Sequence, residues 1–260
     1  MKVAGVGFNC MDVYDNLNQA YPTGNSVDFV IHLSRLGVKT SMVSVVGTDG
    51  YGQCMIDKLK EEQVDVSHLH MREGDTAVFK MDLNGNDRVH KEKIEGVMAE
   101  FALDGKDRQF ILQHEVIHTN LSGRIEQELS CFRDNGLKIV FDFSVRTKKE
   151  IAGPVLPDVD YAFFSYSGED AYIREFMEWA QALGPRLVIV TLGEQGSLAY
   201  DGQKMFRGDI FPATVVNTVG AGDSFCAGFM YGVLHNWSVE DSLRKGAMVA
   251  AAVVSKFEPY

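Results

Sequence analysis

The sequence predicts an α/β fold built on a mainly parallel central sheet with helices on both faces. Three observations carry this expectation. Short β-branched runs alternate along the chain with segments of helical period. Several of the runs are apolar almost throughout, as in strands covered on both faces. Gly37, Gly136 and Gly184 fall just past helical segments, where a left-handed C-cap favours glycine.

The elements follow in order. The apolar run KVAGVGF (2–8) reads as the first strand, and Asn9 to Pro22 is irregular. The helical pattern SVDFVIHLSRLG (26–37) precedes the strand TSMVSVVG (40–47) and the helix YGQCMIDKLKEEQ (51–63). Residues 75–95 break the alternation and read as two strands around the turn NGND. Alternation resumes with the strand EVIHTN (115–120), the helix GRIEQELSCFRDNG (123–136) and the strands LKIVFDFS (137–144) and DYAFFS (160–165). The helix GEDAYIREFMEWAQALG (168–184) leads to the strand RLVIVTLG (186–193). Two helical patterns close the chain, at 222–236 and 238–257. Polar-faced strands inserted into an α/β body often cover an active site, so segments 9–22 and 75–95 are expected to form a lid. An edge hairpin without function is the plainer alternative. With no repeats or linkers, residues 1–260 are expected to form one domain.

At 260 residues the chain can bury a large core, and its 45% apolar and 23% charged residues are ordinary globular values. A net charge of −11 argues against nucleic-acid or anionic-membrane partners. The four cysteines, Cys10, Cys54, Cys131 and Cys226, form no CxxC pair and suit reduced thiols. The N-terminal stretch lacks the features of a signal peptide, and Asp223 interrupts the longest apolar run, so a soluble cytoplasmic protein is expected.

The stretch VVNTVGAGDSFCAGF (215–229) sets an acid at the mouth of an apolar helix. With a helix start near Gly222, the amides of Gly220 to Asp223 point toward an end carrying about half a positive charge, which binds anions. Asp223 then stands beside the anion, with its pKa expected to be lowered by the helix end. An aligned carboxylate of this kind can still accept a hydroxyl proton late in a phosphoryl transfer. An N-terminal Asp with glycines for tight packing is the alternative, and Gly228 and Gly232 do look like packing glycines.

NTVGAGDSFCAGF closely resembles the D-T-x-G-A-G-D-x-F-x-x-G signature of the ribokinase-like carbohydrate kinases, the phosphofructokinase-B family. The resemblance spans Gly5 to about Lys256 and implies the three-layer ribokinase-like fold, ATP and Mg2+ as cofactors, and a sugar substrate. It makes Asp223 the catalytic base and Gly220, Ala221 and Gly222 the anion cradle. Asn217 stands where the family usually has Asp, beside the nucleotide, which leaves a monovalent cation open. IVTLGEQGSLAY (189–200) resembles the nucleotide strand and turn, placing Thr191, Gly193 and Gly196 near ATP. VVGTDGYG (45–52) looks like a structural turn. TGNSVDFVIHLSRLG (23–37) is similar to the sugar-binding G-G-N-x-x-N segment, with Thr23 for the first Gly and Asp28 for the Asn. By that likeness Gly24, Asn25 and Asp28 meet the sugar, as do Asp12 and its neighbour Asn9 in GFNCMDVY (7–14).

Two segments match in part. SYSGEDA (165–171) resembles N-x-x-E, with Tyr166 for Asn, and implies a magnesium role for Glu169; a surface helix-start Glu is the alternative. FDFSVR (141–146) resembles D-x-N-x-R, with Ser144 for Asn, and puts Arg146 near phosphate or an acidic substrate group; a solvated strand-end Arg is the alternative. NDRV (86–89), with Arg88, and EGVMAEFAL (95–103) look most like the bacterial fructoselysine 6-kinases, which act at the sugar 6-hydroxyl. An adduct of this kind needs an acid for its lysine ammonium, for which Asp28, Glu92 and Glu95 are candidates. Other sugars or nucleosides, and a non-catalytic binding homologue, are the competing readings. Family members are often homodimers through the lid; composition is silent on this.

HEVIH (114–118) matches the H-E-x-x-H of zinc proteases. That chemistry needs both histidines on one helical face. In a strand they would stand about 13 Å apart, so the match is expected to be chance.

Overall fold

Strands that are apolar throughout need cover on both faces, and the computed structural model shows how this chain supplies it. It describes residues 1–84 and 87–260, with side chains for all of these except 83, 84, 87, 88 and 90. The centre of the NGND turn and the Arg88 side chain therefore lie outside the described residues.

The chain opens with β1 (Lys2–Val6), β2 (Cys10–Tyr14) and β3 (Gln19–Thr23), then α1 (Asn25–Arg35), β4 (Lys39–Gly47) and α2 (Gly50–Glu61). Three more strands follow, β5 (Asp65–Arg72), β6 (Val78–Asn84) and β7 (Asp87–Ile94), then α3 (Gly105–Ile111). Next come β8 (Val116–Asn120), α4 (Leu129–Asp134), β9 (Lys138–Asp142), α5 (Lys149–Ala152) and β10 (Tyr161–Ser165). The chain ends through α6 (Ala171–Ala182), β11 (Leu187–Thr191), β12 (Ser197–Tyr200), β13 (Met205–Gly208), α7 (Ala221–Leu234) and α8 (Val239–Val254).

A nine-stranded sheet runs β13-β12-β11-β10-β9-β8-β1-β4-β5. Its pairs are parallel from β5 through to β11, and β12 and β13 extend it antiparallel. The period-two alternation sends Val3, Val140 and Ile189 to one face, against α1, α2, α7 and α8. It sends Ala4, Ile139, Phe141, Val188 and Val190 to the other, against α3, α4 and α6. Each fully buried Val, Ile or Phe contributes about 1.5–3 kcal/mol, so two continuous cores clamp the sheet. Gly228 and Gly232 let α7 approach α8 closely, as their spacing suggested.

A second sheet, β3-β2-β6-β7, joins segments 9–22 and 75–95. The first of these is regular where the sequence looked irregular: β2 pairs antiparallel with β3 and parallel with β6. Tyr14, Tyr21 and Met81 form its small core, closed by Phe79 and Phe257. Asp49 caps α2 through Gly52 N at 2.8 Å and also accepts from Thr76 N at 2.9 Å, tying the main body to the loop before β6.

Residues 257–260 thread back through the molecule. The Tyr260 hydroxyl donates to Pro22 O at 2.5 Å, Asn217 Nδ2 donates to Phe257 O at 2.8 Å, and His32 Nε2 lies 2.9 Å from Pro259 O. The HEVIH histidines are structural. His118 is buried in β8, stacked 4.1 Å from Phe29, and burial pushes its pKa down to about 3. His114 precedes the strand and meets Ser41 Oγ at 2.9 Å. No helix among the described residues is long and apolar enough to cross a membrane.

Candidate active site

Four parallel strands end in polar residues at one edge of the main sheet: Asn120 on β8, Asp142 on β9, Ser165 on β10 and Thr191 on β11. Strand order reverses beside β1, and such switch points open a crevice at the carboxyl ends. The first residues of α1 and α7 meet over this edge. Asn25 is the junction: its Nδ2 donates to Asp142 Oδ2 at 2.7 Å and to Asp223 Oδ1 at 2.9 Å. Asn120 Nδ2 donates to Asn25 Oδ1 at 2.6 Å, which fixes the amide's orientation. The Asn120 Oδ1 accepts from Gly123 N at 2.9 Å, so its own orientation is fixed in turn.

Asp142 is held by the backbone beyond it. Ser144 adopts φ 53° and its amide donates to Asp142 Oδ1 at 2.7 Å. Phe143 anchors this turn by stacking on Phe164, centroids 4.6 Å apart.

The turn into α7 has an open front. Gly220 sits at φ 72°, and a Cβ there would lie 2.6 Å from the Pro259 side chain, so only glycine fits. Ala221 N bonds back to Thr218 O at 3.3 Å, so within the run from 220 the Ala221 amide is engaged, and Gly222 and Asp223 stand at the head of the helix. Gly222 is exposed, and a Cβ there would meet nothing nearer than Ser165 Oγ at 4.0 Å. Asn217 is buried and shapes the approach by accepting from Val219 N at 3.1 Å.

The protonation of Asp223 corrects the sequence expectation. The helix end was expected to lower its pKa, yet the carboxyl is pushed up to about 8. Dense surrounding protein is the largest cause and the neighbouring Asp142 the second; the Asn25 hydrogen bond opposes both. The side chain keeps a partial opening to solvent. Asp142 is raised too, chiefly by burial.

The turn into α1 is closed by contrast. Gly24 has φ 131°, and a Cβ there would lie 2.8 Å from Phe8 O. Asp28, one turn along, is 1% exposed and accepts from Thr23 Oγ1 at 2.8 Å through Oδ2. Burial, Asp223 and Asp12 hold its pKa well above the carboxylate range. Asp12 is buried on β2 across from Tyr21. Asn9 is fully buried, its Nδ2 donating to Ser44 Oγ at 2.6 Å and Val45 O at 2.9 Å. Its Nδ2 is thus engaged in the core, while its Oδ1 is buried with no hydrogen-bond partner.

The remaining residues flank this centre. Thr191 Oγ1 lies 3.0 Å from Ser165 Oγ, and Gly193 and Gly196 form the turn between β11 and β12. Glu169 bonds Arg174 and Arg207 through its two oxygens, which would compete with a metal for them. Arg146 is exposed past β9 and lines a cavity of about 160 Å³ with Phe8, Phe79, Lys93, Glu95 and Arg124. This cavity lies between the two sheets. Glu95 pairs with Lys93 at 2.7 Å and Arg124 at 2.8 Å, and Glu92 with Lys80 at 2.9 Å.

The structure therefore brings Asn25, Asp28 and Asp223 together, with Asp12 beside Asp28. Sequence reasoning missed Asp142 and Asn120. Asp142 lay inside the quoted FDFSVR, where only Arg146 was singled out. Asn120 left a fainter signal, a lone amide ending an apolar strand.

An amide-headed helix start with an acid beside it, at the carboxyl edge of a parallel sheet, is the arrangement of a phosphoryl-transfer enzyme. The family model for pfkB family carbohydrate kinases matches residues 21–260, and the chain belongs to that family of phosphotransferases with an alcohol acceptor. It is 36% identical to fructoselysine 6-kinase of Escherichia coli K12 over 252 residues, 97% of each chain. It is 31% identical to a fructosamine kinase of Bacillus subtilis, over 96% of this chain and 90% of the relative. Among solved structures, Arabidopsis thaliana ribokinase with ribose and ATP superposes with a TM-score of 0.85 at 18% identity, covering 99% of this chain and 93% of that one. A putative ribokinase II from E. coli, in complex with ATP and Mg2+, gives 0.85 at 21%, covering 99% and 94%. The fold is the ribokinase-like α/β fold the sequence predicts.

Proposed function

We propose that this protein transfers the γ-phosphate of ATP to the 6-hydroxyl of fructoselysine. One observation carries the site: Asn25 holds the Asp223 carboxylate, at 2.9 Å, beside the open front of Gly222. A phosphate fits there because a missing side chain leaves room and the helix end is positive. Amides at Gly222 and Asp223 would stabilise charge on the migrating phosphoryl group. Ionised Asp223 would take the proton of the attacking hydroxyl, and a pKa near 8 makes it a competent base close to neutrality. ATP would lie along Thr191, Gly193 and Gly196.

Magnesium accompanies ATP in the E. coli neighbour, and we extend that to this chain. Glu169 does not fit as its direct ligand while two arginines hold it. No step here runs through the metal. Asn217 is uncharged and tied to Phe257 O, so we assign no monovalent cation.

The sugar would sit between Asp12, Asn25 and Asp28, under the small sheet acting as a lid that excludes water. The cavity between the sheets favours an amino-acid adduct over a bare sugar, because it offers both signs of charge. Arg146 suits a carboxylate, and Glu95 would have to exchange Lys93 or Arg124 for the substrate's ammonium. An ADP-release assay over fructoselysine, glucoselysine, fructose, ribose and nucleosides tests this reading, with the phosphate position fixed by NMR. Preferred turnover of fructoselysine at C6 is expected; preference for ribose or a nucleoside would reject it.

A further inference from the structure

Asp12, Asp28, Asp142 and Asp223 crowd around Asn25, and donors among them are few. Asp142 accepts from Asn25 and Ser144 N, and Asp223 accepts from Asn25. These donors favour the charged forms of both. Asp28 receives only the Thr23 hydroxyl, on Oδ2. Its Oδ1 is buried with no hydrogen-bond partner. A bare carboxylate oxygen sealed from water is costly, whereas a protonated one is a donor awaiting an acceptor.

Among the described residues, the groups facing Asp28 offer no positive charge. They are Asp12 and Cys10 from β2, Tyr21 from β3, Asp223 from α7 and Tyr260 from the C-terminal segment. His32, one turn along α1, is itself buried, with its pKa pushed down to about 4. No Lys or Arg pairs with Asp28 among the described residues.

We propose that Asp28 is a neutral carboxylic acid whose Oδ1–H donates to a hydroxyl of the sugar, so that Asp223 is the carboxyl of the two that ionises to act as base. The acid then does the work of an amide: one oxygen accepts from Thr23 and the other donates to the ligand. Thr23 and Asp28 are the two positions where the TGNSVD segment departs from G-G-N-x-x-N, and in the fold they touch. This inference rests on the placement of the sugar between α1 and the small sheet.

The test measures kcat and KM for fructoselysine across pH in wild type, Asp28→Ala and Asp28→Asn, with thermal unfolding of each. Asp28→Ala is expected to raise KM roughly tenfold or more, the effect of one lost buried hydrogen bond. Asp28→Asn, which can still donate, should recover most of that loss. Wild-type kcat/KM should fall as pH rises through the Asp28 ionisation, and Asp28→Asn should remove that alkaline limb. Its acid limb, set by Asp223, should stay in place, because a neutral neighbour has been exchanged for a neutral one.

A collapse of Asp28→Asn to the level of Asp28→Ala would overturn the inference, since a negative charge would then be required. So would a shift of its acid limb to lower pH, the sign of a charge lost beside Asp223. Should Asp28→Ala not fold, the acid limb of Asp28→Asn decides alone. A wild-type enzyme inactive on every sugar would sink the site assignment and this inference with it. An active wild type with a failed Asp28→Asn sinks only the inference.

Discussion

Two helix starts meet over the sheet edge, and they look alike in sequence. Each opens at a glycine with positive φ, 131° at Gly24 and 72° at Gly220, and each carries an aspartate in its first turn. Both cap glycines are pressed, Gly24 against Phe8 and Asn9 and Gly220 against Pro259. The starts differ inside the first turn: Asp28 is sealed, while Gly222 faces open space and Asp223 keeps an opening to solvent. The glycine therefore does not mark an anion site by itself. On the proposed function, vacant volume before free amides does, and the closed start would serve fixed hydrogen bonds with a neutral ligand.

The sharpest way to break this contrast is Asp223→Ala, which is expected to cut kcat about 10²-fold or more while ATP still binds in a nucleotide titration. Near-normal turnover would remove Asp223 from the chemistry. Asn25→Ala comes next. Asn25 holds the Asp223 pKa down, so its loss should raise that pKa and move the acid limb of kcat/KM to higher pH. A drop of roughly tenfold near neutrality is expected, with recovery in alkali.

The two glycines should then part company. Gly24→Ala forces an unfavourable φ and a 2.8 Å contact with Phe8 O, and should cost about 2 kcal/mol in denaturant unfolding. Gly222→Ala lies in helical backbone and should leave stability equal or slightly higher, while raising KM for ATP several-fold. Equal behaviour of the pair would undo the comparison. Smallest is Glu95→Gln, for which a roughly threefold rise in KM for fructoselysine, and none for fructose, is expected at this exposed ion pair.

Protonation also links to stability. Asp223 binds a proton in the fold up to about pH 8, against 3.8 when unperturbed. The folded state therefore holds more protons between those values, and the contribution of this group to stability falls as pH rises through that window. The raised pKa at this position is thus set against the stability of the fold around it at alkaline pH.

Much of the fold was legible because buried parallel strands read as unbroken apolar runs. β5 was missed because DVSHLHMR is largely exposed, on the outer edge of the sheet. β12 and β13 are four residues each, too short for a period to show. β2 and β3 hid behind Asn16, Asn18 and Pro22, which read as turn residues. At the site, the long glycine motif and Asn25 stood out locally. Asp142 lies 117 residues from Asn25 and Asn120 lies 95 away, so only folding brings these partners together. The same distance explains the sign error at Asp223. A helix end is visible in sequence, but burial and a second carboxylate are not.

The last four residues bind three parts of the molecule into one lever. Phe257 packs on Tyr14 and Tyr21 of the small sheet, Pro259 backs Gly220 and meets His32 of α1, and Tyr260 holds Pro22. The small sheet cannot swing without dragging or breaking this tether. The small sheet, the start of α1 and the turn into α7 are thereby joined through a strip of chain that lies outside both helices and sheets.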